Sequence, residues 1–193
     1  MNHVTSIENA IRYEIRAGEQ NFSPKESIWP QFGVDGFQLA VRFPAESWVG
    51  LGEWEDDGDW YDWNKLKGVT DYFGPNNRNS ALIAWRWGVA PNTFQLTAYT
   101  NQKDGSWTIT GKPVTVYAGE VAYCQAITNR KNVYYEIEYF GNVTEYNHKW
   151  KRPWFWVARE VGTWIGGENN SPGPYGGEAS KDMSIEIDFK LYK

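Results

Sequence analysis

The side chains best suited to chemistry crowd between positions 53 and 65. Glu53, Glu55, Asp56, Asp57, Asp59 and Asp62 fall within ten positions, with Trp54, Trp60, Tyr61 and Trp63 threaded among them. Carboxylates at alternate loop positions suit a hard cation such as calcium, but the glutamate that closes an EF-hand loop at its twelfth position is missing. The 53–62 loop is therefore read as solvated, and no metal or other cofactor is expected. Indole faces beside Asp, Asn and Lys also suit a sugar, the ring stacking on pyranose C–H groups and the polar atoms taking hydroxyls. On that chemistry the candidate ligand-binding residues are Trp60, Asp62, Asn64 and Lys65, with Arg86, Tyr99 and Trp164 as contributors from further along the chain. Trp60 would stack, Asp62 and Asn64 would bond hydroxyls, and Lys65 would hold an anionic group. Plainer roles compete at each position. Asp and Asn form turns by bonding their own backbone, and the same aromatics make protein–protein contacts.

Signs of catalysis are weak. Enzymes that cleave glycosidic bonds flank the bond with paired carboxylates. The nearest match to an E-x-D-x-E strand is Glu186-Ile187-Asp188-Phe189-Lys190, where Lys190 stands in the third acid position. Only His3 and His148 are present, one near the chain start and one in what reads as a polar loop. With no histidine in an expected strand, a Ser-His-Asp triad or a zinc site is disfavoured, and the chain is expected not to be an enzyme. Arg86 sits between Trp85 and Trp87 in an alternating run. An unpaired buried charge is costly, so an ion pair with Glu136, Glu138 or Asp62 is expected, and a ligand-facing arginine is the second reading.

The elements that must position these groups are strands. AIRYEI, GFQLAVRF, SALIAWRW, TFQLTAYT, VAYCQAIT, NVYYEIEYF, WFWVARE and MSIEIDFKLY alternate with period two, and no segment keeps a helical apolar stripe over three turns. Phe37, Leu39, Val41 and Phe43 share one side, as do Trp85 and Trp87 with Ala81 and Ile83, and Met183, Ile185, Ile187, Phe189 and Leu191. The segment NKLKG, from Asn64, reads as a polar continuation of the acidic loop. About ten strands separated by Gly, Pro and Asn turns predict an all-β fold, a two-sheet antiparallel β-sandwich of jelly-roll type. Residues 1–193 form one domain, with 1–9 as an N-terminal arm. A composition with 12 Trp and 12 Tyr but a mean hydropathy of -0.64 fits large rings filling a sandwich while polar faces meet water. A net charge of -5 without a long basic run argues against nucleic acid, and no apolar run is long enough to enter a membrane. The single cysteine, Cys124, reads as a buried thiol. No leader is read in the first residues, which fits a virion or the cytoplasm.

The order Asp62-x-Asn64-Lys65-Leu66-x-Gly68, Asp71, Asn79-Ser80-Ala81, Trp85-Arg86-Trp87 and Leu96-x-Ala98-Tyr99 resembles a group of short proteins from Bacteroidetes and their phages. Trp164-Ile165-Gly166-Gly167 and Asp182-Met183-Ser184-Ile185 are similar to the closing elements of that group. The loop before Asn79 lacks the group's histidine, and ENNSPGPYGGE is inserted after the Gly-Gly pair. More distantly, the pattern resembles the concanavalin-A-like jelly roll of lectins, glucanases and polysaccharide lyases. The expected function is a non-catalytic, lectin-like carbohydrate-binding or adhesion module displayed on a phage virion, with glycan or other virion proteins as partners and an oligomer as an open option. A structural or decorating virion protein is the alternative, and a polysaccharide lyase or glycoside hydrolase comes third.

Overall fold

The computed structural model describes residues 7–26, 28–49, 63–75, 78–152, 156–166, 179 and 181–193. In chain order its strands are β1 (Ile11–Ile15), β2 (Gln31–Phe32), β3 (Gly36–Arg42), β4 (Asn64–Asp71), β5 (Ser80–Trp87), β6 (Thr93–Asn101) and β7 (Trp107–Thr108). They continue with β8 (Val114–Tyr117), β9 (Val121–Thr128), β10 (Asn132–Tyr139), β11 (Asn142–Lys149), β12 (Val157–Val161) and β13 (Met183–Tyr192). A six-stranded sheet runs β1-β13-β3-β9-β10-β11. A seven-stranded sheet runs β2-β12-β4-β5-β6-β7, with β8 paired to β6. All the strand pairs are antiparallel. The expected all-β, two-sheet sandwich is the architecture found.

Period-two placement explains the interior. Phe37, Leu39 and Val41 of β3, Phe94, Leu96 and Ala98 of β6, and Ala81, Ile83 and Trp85 of β5 lie in one buried cluster between the sheets. Phe43 stacks on Phe94 at 4.3 Å and meets Trp85 at 5.4 Å, so three rings fill the space between β3, β5 and β6. Trp85 is 0% exposed. Trp87 lies on the same side, partly buried, and its Nε1 donates to Ser47 O at 3.0 Å. Cys124 is buried within this cluster as expected, and burial pushes its thiol pKa up.

Two segments depart from the sequence reading. The first is NKLKG, which is no loop: Asn64 to Gly68 begin β4, the inner neighbour of β5. A register shift between Lys65 and Lys67 breaks the alternation that would have marked a strand. It sends Lys65 to the outer side with Ala84 and turns Lys67 inward opposite Ile83. Lys67 is only 1% exposed. Its Nζ lies 3.3 Å from Glu160 Oε2 and over the Tyr13 and Phe189 rings at 5.1 and 5.3 Å.

The second departure is His148, which sits in strand β11 rather than in a polar loop. Tyr146 and His148 point inward while Val143, Glu145, Asn147 and Lys149 point to water. An edge strand whose buried side holds an aromatic and a histidine shows little aliphatic periodicity. Ile11 is a smaller exception: it shares a side with Tyr13 and Ile15 but lies at the exposed start of edge strand β1.

Candidate functional site

The outer side of the seven-stranded sheet carries a second apolar cluster, separate from the core. Leu82, Ala84, Tyr99 and Val161 form its floor, and Trp63, Ile109 and Trp164 pack against it. Register accounts for the grouping. Leu82 on β5 faces Tyr99 on β6, Gly68 on β4 faces Val161 on β12, and Lys65 faces Ala84. Because Ala84 is small, the long Lys65 stem can cross β5, and its Nζ lies 4.5 Å from the centroid of the Tyr99 ring. The same ammonium donates to Trp63 O at 2.9 Å. Beyond Tyr99, the Trp107 indole of β7 stacks at 6.0 Å and 16°, with 62% of its surface exposed.

One register step along, Arg86 extends from the same side of β5. Its Nε donates to Gln95 Oε1 at 2.7 Å, and its guanidinium lies 4.4 Å over the Trp63 ring. The expected carboxylates at 136 and 138 belong to β10 of the other sheet, and Glu136 accepts from Gln125 there. Among the described residues Arg86 thus meets an amide and an indole rather than Glu136 or Glu138, and Asp62, the third carboxylate expected, lies outside them.

Trp164 reaches the cluster from the far side of β4. After β12 ends at Val161, the chain pairs again with β4, and Lys65 and Trp164 exchange N–H···O bonds of 3.1 Å each way. Asn64 helps to fix this return: it is buried, and its Oδ1 accepts from Gly166 N at 2.8 Å. A Cβ on Gly166 would lie 2.9 Å from Trp63 O, so the close approach calls for glycine.

The structure therefore brings Lys65, Arg86, Tyr99 and Trp164 onto one side of one sheet. It engages Asn64 in holding the backbone beneath them. Trp60 and Asp62 lie outside the described residues, as does the 53–62 loop read for calcium. Sequence reasoning missed Trp107 and the pairing role of Trp63. Trp107 stands in a two-residue strand after the Asp104-Gly105 turn, too short for a periodic signal. Extrapolating the β4–β5 register one step past Asn64↔Trp85 would have put Trp63 opposite Arg86.

Titratable groups also gather elsewhere among the described residues, at His148 and at the β1 edge. His148 is 1% exposed, with Nδ1 2.9 Å from Thr100 Oγ1 and Nε2 2.9 Å from Thr110 Oγ1. Burial lowers its pKa to about 4, so the ring is neutral at pH 7. It faces between the sheets, away from the Lys65 cluster. A cleft of about 460 Å³ at the β1 edge is lined by Arg12, Glu14, Arg16, Glu46 and Asp182 among others. Much of its charge is internally engaged, Arg12 bridging Glu14, Glu46 and Glu186 at 3.1, 3.4 and 3.8 Å.

No protein-family model and no curated protein matches the chain. Solved structures do resemble it. The crystal structure of the alginate lyase from Klebsiella pneumoniae superposes with a TM-score of 0.55 at 8% identity, covering 83% of this chain and 60% of the other. The catalytic domain of an endo-1,3-beta-glucanase (laminarinase) from Thermotoga petrophila RKU-1 gives 0.51 at 11%, covering 96% of this chain and 78% of the other. An uncharacterised protein from Mycobacterium paratuberculosis gives 0.50 at 10%, covering 96% and 82%. The chain thus spans 60% of the lyase chain's length. At such identities the likeness establishes the fold and nothing about activity: the chain is a concanavalin-A-like jelly-roll sandwich.

Proposed function

We propose that the outer side of the seven-stranded sheet is a carbohydrate-binding surface and that the protein acts as a lectin-like module without catalysing a reaction. The observation that carries the reading is one grouping of rings and cations: Trp63 under the Arg86 guanidinium, Tyr99 between the Lys65 ammonium and the Trp107 indole, and Trp164 packed against the same cluster. Flat rings offer stacking area to pyranose C–H surfaces at little conformational cost, and neighbouring N–H donors suit hydroxyls or carboxylates. The charged strand residues described on this side are Lys65, Arg86 and Arg159, whose N–H groups suit hydroxyl or carboxylate oxygens. Lys65, Arg86, Tyr99 and Trp107 lie on strands, which holds their spacing fixed before a ligand arrives.

Glycan-array binding followed by calorimetric titration tests this. Wild-type protein is expected to bind a polysaccharide saturably, and Trp107→Ala to weaken it about fivefold, because stacking on an exposed ring contributes roughly 1 kcal/mol. Since Trp107 is exposed, the variant should keep its fold. Binding to no glycan sinks the reading. Presentation on a virus particle belongs to the same proposal, and copurification with virions tests that part.

A polysaccharide-cleaving enzyme is the second reading, favoured by the fold shared with a lyase and a laminarinase. Release of unsaturated or reducing sugar ends from the bound polysaccharide would replace the first reading with this one.

A further inference from the structure

Sheet edges are where a β-sandwich either blocks or invites another chain. β2 and β7 are two residues long and β8 four. The edge of β1 is capped where Glu14 and Ser23 exchange N–H···O bonds of 2.7 Å, with Pro24 next in sequence. β11 differs: it runs eight residues, Asn142–Lys149, without proline or register shift.

Trp150 N donates to Lys131 O at 2.7 Å, so alternate residues of β11 back to Asn142 bond to β10. The intervening residues, Val143, Glu145, Asn147 and Lys149, turn their N–H and C=O groups outward. Lys149 O accepts from Gln102 Nε2 at 2.7 Å and closes the run. The side chains of all four are exposed.

Charge along this edge is split. Glu145 lies directly across from Glu136, with Glu138 one pair further on, whereas Lys149, Lys151, Arg130 and Lys131 gather at the other end. Like charges facing each other across a ladder repel, and no cation of this chain forms an ion pair with Glu145 among the described residues. We propose that the β11 edge is a self-association surface. It would pair antiparallel with β11 of a second copy about a two-fold axis at Asn147, joining the six-stranded sheets of both into one continuous sheet.

The register follows from the charges. Centred on Asn147, each Glu145 lies across from the partner's Lys149, and each acidic end meets the other's basic end. Centred on Glu145, the same strands would set glutamate against glutamate. The backbone bonds run from Asn147 N–H to the partner's Asn147 C=O and back, and from Lys149 N–H to the partner's Glu145 C=O. The pairing is isologous and closes at two copies.

Analytical ultracentrifugation of the full chain tests this with charge reversals. The wild type is expected to sediment as a dimer that weakens with added salt. Glu145→Lys alone and Lys149→Glu alone should each be monomeric, because both symmetry-related contacts become repulsive. Mixing the two single variants should restore a dimer, since the lysine introduced in one then meets the glutamate introduced in the other; this also shows that neither variant failed through misfolding. A monomeric wild type, a dimer that survives both single reversals, or a mixture that stays monomeric overturns the proposal.

Discussion

Lys67 carries its charge into the space between the sheets, and Glu160 with two aromatic rings keeps it there. Removing one member of a buried pair leaves the other uncompensated, which typically costs about 3–5 kcal/mol. Glu160 keeps some solvent access, so Lys67→Met is expected to lose roughly 3 kcal/mol in urea denaturation, the low end of that range. Lys67→Met with Glu160→Leu should regain most of the loss. His148 makes a second testable claim. Its folded pKa, about 4, lies below the ordinary value of 6.5, so between these values the unfolded chain holds a proton that the native ring lacks. Stability is then complete above pH 6.5 and falls as the pH drops toward 4, by about 3 kcal/mol in all. Melting curves over that window should show the slope in the wild type and a flatter profile in His148→Phe. His148 in the midst of NVTEYNHK could not be read as buried from sequence, because the threonine hydroxyls that satisfy its ring come from residues 100 and 110.

At the scale of elements, β4 and β5 decide where the candidate site lies. Gly68 has no room for a side chain: a Cβ there would run into the Ala81 carbonyl of the adjacent strand. Gly68→Ala is expected to cost about 1–3 kcal/mol by overpacking and to shift the strand that carries Lys65, so stability and ligand binding should fall together. Strands β3, β5, β6 and β13 were legible because large apolar residues alternate along them without interruption. β4 was not, because its register shift puts Leu66 and Lys67 in succession where alternation is expected. β11 was not because its buried side chains are Tyr146 and His148. The same contrast governs the site. Arg86 and Tyr99 could be assigned to the outer side from regular strands. Trp107, in a two-residue strand, and Trp164, on a chain return beyond β12, owe their places to long-range pairing that no local pattern encodes.

For the whole molecule, the two sheets divide the work. The interior is filled by rings from both sheets, with Trp85, Phe43 and Phe94 at its centre. The seven-stranded sheet turns Tyr99 and Trp107 outward, and among the described residues no strand pairs with the outer edge of β11 in the six-stranded sheet. The proposed ligand surface and the proposed self-association edge lie on different sheets, so a dimer through β11 would present two such surfaces and raise avidity for a repetitive polymer. The most direct check on the central claim is an NMR titration following indole N–H signals as an array-selected oligosaccharide is added. The account predicts that the Trp63, Trp107 and Trp164 signals move together and saturate while those of Trp85 and Trp150 stay in place. Movement confined to other tryptophans, with these three unchanged, would contradict it.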